Sequence, residues 1–250
     1  MCGIAGTINC GFSYEEVIKT MGHRGPDEQY GYQFQNVSFF HLRLAILDIS
    51  GGKQPMQLDD KYTIIFNGEI YNHGEIRNQF NLNGKTSSDT ETLLLLYARF
   101  GTEFLQYLDG MFAFVIHDKI KNQLFIARDR AGKKPLYYYH HEDKFAFASE
   151  LNCLKAMVPL EIENENFYQY LRLGSFYRQF TPYKNVTELT AGSFIIVNWG
   201  WHAVFIVLAA ITSLIVLLVF FFLPEGARTS ESIFPKSFGE TSMRPKSSSS

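Results

Sequence analysis

Short apolar runs separated by Gly, Asn and Asp fill the chain from its start to about residue 198, and their spacing predicts both helices and strands. Ser13 precedes the run YEEVIKTM, and Glu16 lies three residues after Ser13. This spacing predicts a capped helix over Tyr14–Met21. A second helix is predicted over Asp89–Phe100, where two acidic residues in the first turn complement the helix dipole. Strands are predicted from Gly3 onwards and at 37–46, 62–66, 112–117, 123–127, 136–139, 145–148 and 193–198.

Many hairpin-like strands with few helices between them are typical of antiparallel sheets that are covered by helices. A doubly wound parallel sheet would need a helix between most successive strands. The pattern therefore predicts an α+β fold for residues 1–198.

The pattern changes abruptly after residue 198. No charged residue occurs from Trp199 to Leu223, and 203–223 is almost wholly aliphatic residues and Phe. Such a run matches the roughly 20 residues that cross a bilayer as a helix. Residues 224–250 are rich in Ser, Pro, Lys and Arg and are predicted to be disordered. We therefore divide the chain into a folded domain at 1–198, a transmembrane-like helix at 199–223 and a polar tail at 224–250.

Two interpretations of residues 203–223 stay open. The segment either tethers the folded domain to a membrane or is a non-native fusion, and its lack of charge argues against a buried core helix. Arg228, Lys236 and two further cations follow the helix, so the positive-inside rule would keep the tail cytosolic and export the folded domain. Export does not suit a cytosolic thiol enzyme, so the charge distribution favours the fusion.

Composition and charge exclude several classes of protein. The formal net charge is −2, so we expect no nucleic-acid partner. Cys2, Cys10 and Cys153 are odd in number and lack CxxC spacing, which argues against a disulfide framework and against a metal site. The start MCGIAG has no basic region ahead of an apolar run and so is no signal peptide. We expect a reducing compartment and a cytoplasmic catalytic domain, membrane-associated only if the C-terminal helix is genuine.

Cys2 follows the initiator Met1 and becomes the N-terminus if Met1 is removed. Its α-amine, with an ordinary pKa near 8, would then lie beside its own thiol and could act as the general base. One residue would thus supply both nucleophile and base. The ordinary alternative is a protein that happens to begin Met-Cys.

Six polar motifs follow Cys2, and each has an ordinary structural explanation when it stands alone. Asn67-Gly68 is the commonest two-residue hairpin turn. Asp89 is a favourable acid at a helix N-terminus, and Arg43 would pair with a neighbouring carboxylate. The motifs are, in chain order, HRGPD (23–27), RLAILD (43–48), FNGEIYN (66–72), SSDTE (87–91), RDRAGKKPLYY (128–138) and FASEL (147–151).

In this order and spacing the motifs closely resemble the N-terminal glutaminase domain of glutamine-hydrolysing asparagine synthetase. That domain is a class II glutamine amidotransferase of the N-terminal-nucleophile hydrolase superfamily, and the resemblance runs from Cys2 to about Asn198. It implies a four-layer αββα sandwich of two antiparallel sheets. It also implies that the chain hydrolyses L-glutamine to glutamate and ammonia.

The resemblance implies a role for each matching residue. Cys2 would form a thioester with the side-chain carbonyl of glutamine, and Asn67 and Gly68 would supply the oxyanion hole. Arg43 would hold the substrate α-carboxylate, for which a planar guanidinium is the matching fork. The remaining substrate-binding positions are Glu69 and Asp89 for the α-ammonium, and Leu44, Ala45, Ile46 and Leu47 for the wall of the pocket.

In that family a synthetase domain, which binds ATP and Mg²⁺ and accepts the ammonia, follows the glutaminase. Its SGGxDS loop has no counterpart here, since Ser50-Gly51-Gly52-Lys53-Gln54 lacks the Asp-Ser pair, and no GxxxxGK[ST] sequence occurs either. We therefore expect no cofactor in this chain and an ammonia acceptor that is missing or supplied in trans.

A different class of hypothesis is a membrane protein that carries a degenerate glutaminase fold as a binding module. Residues 199–250 resemble a spanning helix and loop of a major facilitator transporter. Degeneration would have damaged the active-site set, yet Cys2, Arg43, Asn67, Gly68 and Asp89 are all present. The retained set favours the glutaminase.

Overall fold

The computed structural model describes residues 1–11, 13–45, 51–176 and 179–198 of the chain. The strands in these ranges are β1 (Gly3–Ile8), β2 (Glu28–Phe34), β3 (Val37–Arg43), β4 (Met56–Leu58), β5 (Tyr62–Ile70), β6 (Gly110–Asp118), β7 (Gln123–Arg128), β8 (Tyr137–His141), β9 (Lys144–Ala148), β10 (Val186–Glu188) and β11 (Phe194–Asn198). The helices are α1 (Tyr14–Met21), α2 (His73–Phe80), α3 (Asp89–Phe100), α4 (Leu151–Met157) and α5 (Asn164–Leu173). Short 3₁₀ segments lie at Gly22–Arg24 and Gly101–Tyr107.

The strands form two sheets in which every pairing is antiparallel. The six-stranded sheet has the order β10-β8-β9-β1-β3-β2, and the five-stranded sheet has the order β11-β7-β6-β5-β4. These sheets, with helices packed on them, confirm the predicted α+β class.

Three hydrophobic cores separate the layers. Ile4, Phe39 and Val115 belong to the core between the two sheets. Helices α1 and α4 cover the outer face of the six-stranded sheet, and α2 and α3 cover the outer face of the five-stranded sheet. Within β5, Ile64 packs towards the helices and Ile65 towards the other sheet, as the two-residue period of a strand requires. Both faces of the central strands are therefore buried, which explains why their sequences are continuous apolar runs.

The predicted helices are confirmed with the same bounds, and Ser13 caps α1 by accepting a hydrogen bond from the Glu16 N–H at 3.4 Å. The strand predicted at 37–46 is too long, because β3 ends at Arg43. The strand predicted at 62–66 is too short, because β5 continues to Ile70. Sequence reasoning missed six elements altogether, namely β2, β4, β10, α2, α4 and α5.

Asn67 and Gly68 lie within β5 and do not form a hairpin turn. A Cβ on Gly68 would lie 2.1 Å from the Met111 carbonyl oxygen and 2.7 Å from the Phe112 Cα, both in β6. Glycine is required here because the neighbouring strand approaches so closely. The turn interpretation of Asn-Gly is therefore wrong for this pair.

Among the described residues, the structure contains no helix with the length and hydropathy that a bilayer crossing needs. The transmembrane-like helix predicted at 199–223 and the polar tail at 224–250 lie outside the described residues.

Candidate active site

Cys2 lies at the entry to β1, a central strand of the six-stranded sheet. Arg24 Nε donates a hydrogen bond to the Cys2 carbonyl at 3.1 Å, and Arg24 Nη1 pairs with Glu150 at 2.9 Å. The backbone of Ile4 exchanges two hydrogen bonds with Ser149, one to its Oγ and one from its N–H. The start of the chain is therefore held on a rigid sheet, with the Cys2 side chain half-buried.

A cavity of about 160 Å³ lies beside Cys2. It collects residues from the start of the chain, the end of β3, the middle of β5, the first turn of α3 and the loop after β7. The predicted site residues that line it are Cys2, Arg43, Leu44, Asn67, Gly68, Glu69 and Asp89. Ala45 is not among the lining residues, and its N–H donates to Asp27 at 2.8 Å. The predicted pocket-wall residues Ile46 and Leu47 lie outside the described residues.

The edge of β5 supplies hydrogen-bond donors to this cavity. Strand β4 pairs with β5 only from Tyr62 to Ile64, so the next part of that edge has no neighbouring strand. The Phe66 N–H donates to Gln54 Oε1 at 2.6 Å, and the Ile70 N–H donates to Asp89 Oδ2 at 3.1 Å. Alternate N–H groups of a strand point the same way, so the Gly68 N–H, midway between them, also points out of this edge. It therefore faces the cavity.

The Asn67 side chain lies next to that N–H and is 1% exposed. Its Nδ2 is buried and has no hydrogen-bond partner among the residues that the structure describes. An unpaired buried donor costs free energy, and such donors are rare away from functional sites. Asn67 Nδ2 and the Gly68 N–H are therefore two neutral donors available to one acceptor in the cavity.

The cavity carries positive charge from two buried side chains. Arg43 Nη1 pairs with Glu28 at 2.5 Å, and this hydrogen bond lowers the pKa of the Glu28 carboxyl. Lys134 is 5% exposed and forms no ion pair within the described part of the chain. Lys134 belongs to the RDRAGKKPLYY motif, and the sequence alone predicts no role for it.

Two carboxylates carry the negative charge of the cavity. Asp89 is the first residue of α3, where Ser88 Oγ caps the helix by accepting the Thr90 N–H at 3.2 Å. Burial raises the pKa of Asp89, although the hydrogen bond from the Ile70 N–H opposes that shift. Glu69 is half-buried on β5 and lines the same cavity.

Opposing effects act on the pKa of the Cys2 thiol. Burial raises its pKa, while a hydrogen bond to the Leu44 carbonyl at 3.8 Å and nearby positive charges lower it. Those charges are the N-terminal amine of Met1, Arg43 and Lys134. Because burial has the largest effect, the nucleophile needs a base and compensating positive charge to react at neutral pH.

Gln54 also shapes the site, although sequence reasoning missed it. Its side chain is buried, and its Nε2 donates to Thr90 Oγ1 at 3.1 Å while its Oε1 accepts the Phe66 N–H. It thereby joins the free edge of β5 to the first turn of α3. The feature that distinguishes Gln54 is its cis peptide bond to Pro55, and the isomer of a peptide bond is not visible in a sequence.

Comparisons with known proteins agree on one family. Residues 1–203 match the family model described as the glutamine amidotransferase domain. The chain is 42% identical over 196 residues to asparagine synthetase [glutamine-hydrolyzing] 1 of Bacillus subtilis, covering 73% of this chain and 30% of that protein. It is 38% identical over 169 residues to asparagine synthetase [glutamine-hydrolyzing] 3 of the same organism, covering 62% of this chain and 28% of that protein.

Among solved structures, the chain resembles glutamine phosphoribosylpyrophosphate amidotransferase from Bacillus subtilis, in complex with ADP and GMP. The TM-score is 0.56 at 21% identity, over 79% of this chain and 47% of that one. At this identity the likeness concerns the fold. The chain spans between 28% and 43% of the length of the first curated relatives that it matches.

Proposed function

Because the chain belongs to the glutamine amidotransferase domain family, we propose that it hydrolyses L-glutamine to glutamate and ammonia through a thioester on Cys2. The observation that carries this proposal is the cavity in which Cys2 lies with the unpaired Asn67 amide and the outward Gly68 N–H. A nucleophile beside two neutral donors is the arrangement that acyl transfer needs.

Before any turnover, removal of Met1 leaves the Cys2 α-amine as the N-terminus. That amine takes the thiol proton, and the sulfur attacks the side-chain amide carbon of glutamine. The amine then returns a proton to the leaving nitrogen, which departs as ammonia and leaves a thioester. Water, activated by the same amine, hydrolyses the thioester and releases glutamate.

The tetrahedral oxyanion that forms in each step accepts hydrogen bonds from Asn67 Nδ2 and the Gly68 N–H. Both donors line the cavity, because β5 holds the backbone and no group among the described residues accepts a hydrogen bond from Asn67 Nδ2. Preorganised donors stabilise the transition state without any reorganisation during the reaction.

The charged groups orient the substrate at its α-carbon. Arg43 takes the α-carboxylate, and Asp89 and Glu69 take the α-ammonium. Arg43 keeps its pairing with Glu28 through Nη1, which holds the guanidinium in place for a further partner. Leu44, Ala45, Ile46 and Leu47 complete the proposed substrate-binding set.

Release of glutamate from glutamine by the purified chain tests the proposal. Cys2→Ala is expected to abolish it, because the substitution removes the nucleophile while leaving the α-amine. Cys10→Ala is the matched control and is expected to retain activity, because Cys10 is not among the cavity-lining residues. Activity that survives in Cys2→Ala, or an N-terminal mass showing that the active chain keeps Met1, would sink the mechanism.

We propose that the ammonia serves asparagine synthesis, since the relatives are named as glutamine-hydrolysing asparagine synthetases. The acceptor reaction would use ATP and Mg²⁺ bound outside residues 1–198, on a partner or a further domain. Adding a separately purified synthetase domain with aspartate and ATP is expected to yield asparagine that depends on Cys2. Asparagine formed equally well by Cys2→Ala would contradict this use.

The charge-free sequence of residues 203–223 supports attachment of the enzyme to a membrane, whereas the cations that follow it favour a non-native fusion, and fractionation distinguishes the two. If the segment attaches the enzyme, the full chain is expected to sediment with membranes and to resist carbonate extraction, while a chain ending at residue 198 remains in the supernatant. Recovery of both chains in the supernatant would contradict the attachment.

A further inference from the structure

Lys134 is a buried cation in the cavity for which the reaction described above has no role. The residue is 5% exposed and lines the cavity together with Cys2. Arg43, the other buried cation of the cavity, pairs with Glu28, whereas Lys134 has no carboxylate partner among the described residues. Burying an unpaired ammonium costs free energy, so its retention calls for a functional explanation.

The loop that carries Lys134 is held firmly by one buried side chain. The Asp129 carboxylate accepts backbone N–H groups from Phe112, Ala131, Lys133 and Lys134 at 3.0 to 3.2 Å. Gly132 adopts a φ of +63°, a left-handed conformation that favours glycine and lets the loop turn back. The ammonium therefore extends from a preorganised loop.

The charged groups around Lys134 place it on the Cys2 side of the cavity. Lys134 interacts electrostatically with Arg24, Cys2, Asp129 and Glu69. Cys2 in turn interacts with the N-terminal amine of Met1, with Arg43 and with Lys134. Lys134 therefore interacts both with the nucleophile and with Glu69, one of the two carboxylates proposed to hold the α-ammonium. Asp89, the other of these carboxylates, interacts electrostatically with His73 and Glu69.

We propose that Lys134 is a positioning residue that acts through Cys2. Its ammonium stabilises the Cys2 thiolate before the sulfur attacks the substrate. This inference rests on the proposed glutaminase function for its biological meaning, although the thiolate can be measured without glutamine. Burial raises the pKa of the Cys2 thiol and lowers the pKa of Lys134, while the attraction between the thiolate and the ammonium opposes both shifts. Once Met1 is removed, the Cys2 α-amine can then take the thiol proton at neutral pH.

Alkylation of Cys2 by iodoacetamide tests the proposal, because only the thiolate attacks the reagent. The rate is measured against pH on the full chain by mass spectrometry of the Cys2 peptide, with the Cys10 peptide as an internal reference. Lys134→Met and Lys134→Gln remove the charge, Lys134→Arg keeps it, and Lys133→Met is the control at the exposed neighbouring residue.

We expect the alkylation midpoint of Cys2 to rise by about one pH unit in both neutral variants, which slows alkylation at pH 7 about tenfold. Lys134→Arg and Lys133→Met should keep the midpoint, and Cys10 should react alike in all chains. The neutral variants should melt no lower than the unchanged chain, because they relieve an unpaired buried charge.

Three results would overturn the proposal. One is an unchanged Cys2 midpoint in the neutral variants. Another is an unchanged midpoint with a higher KM for glutamine, which would make Lys134 a substrate-binding residue. The third is failure of both neutral variants to fold, which would make the ammonium structural. Absence of glutaminase activity with a shifted midpoint would instead contradict the proposed function and leave the Lys134 inference standing.

Discussion

At the scale of single residues, the candidate site contains two polar groups for which the described residues provide no partner. Asn67 Nδ2 is buried and unpaired, and the Lys134 ammonium has no ion-pair partner in the described ranges. Each such group lowers the stability of the empty protein and becomes useful when charge develops in the cavity. Function and stability therefore oppose each other at these positions.

Asn67→Ala is expected to lower kcat by about 10²- to 10³-fold with a smaller change in KM, because the lost donor acts mainly on the oxyanion of the transition state. The free energy of unfolding should stay the same or rise, because the substitution removes an unsatisfied buried amide. Steady-state glutamate release and thermal melting measure the two effects. Asn78→Ala, at an exposed position on α2, is the control. An unchanged kcat in Asn67→Ala would exclude the oxyanion role.

At the scale of elements, the site depends on the free edge of β5. Strand β4 covers this edge only as far as Ile64, and Gln54 and Asp89 satisfy the N–H groups on either side of Gly68. The opposite edge is fully paired with β6, whose backbone lies too close to Gly68 for a side chain. Strand β5 is therefore held in place by its pairing with β6 and presents hydrogen-bond donors at its other edge.

Gly68→Ala is expected to destabilise the domain by several kcal/mol and to abolish glutamate release, because its Cβ would lie 2.1 Å from the Met111 carbonyl oxygen. Gly74→Ala on α2 is the matched control, since no atom lies within 4 Å of its added Cβ. That substitution should leave activity unchanged and leave stability equal or slightly higher. Denaturant unfolding of the two variants measures the difference, and equal stability would contradict the close approach of β6.

At the scale of the whole molecule, the four layers bury polar groups together with the apolar cores. His41 on β3 is 0% exposed, and its Nε2–H donates to the Phe66 carbonyl at 3.2 Å. Burial lowers the pKa of His41 to about 4, and it lowers that of His117 on β6 to about 4 as well. Both imidazoles are therefore neutral in the folded protein near neutral pH.

Stability is expected to fall as the pH drops from about 6.5 to about 4. In that range the unfolded chain binds protons at both histidines while the folded protein does not, so protonation favours unfolding. Melting temperature against pH measures this loss. The variant His41→Gln should show a shallower acid slope, because one of the two groups no longer titrates. An identical slope in that variant would contradict a buried neutral His41.

Several features were predictable because residues that are close together in the sequence specify them. The Ser13 cap predicted α1, and the acidic first turn predicted α3 with the observed bounds. Strands buried on both faces are continuous apolar runs, which located β6 and β7 within a few residues. Helix α5, one of the elements that were missed, has no buried residue and lacks that apolar signature.

The sequence by itself determined the family and singled out the candidate site residues, because an ordered set of motifs can be recognised without knowledge of the geometry. Only the tertiary structure decided which groups are free to act. Gly68 presents its N–H because β4 ends its pairing at Ile64, and Lys134 is left unpaired because the Asp129 loop turns it into the cavity beside Cys2. The physical reason is that a local pattern reports the burial of each side chain, whereas the partner of a donor or a charge is set by residues far away in the chain.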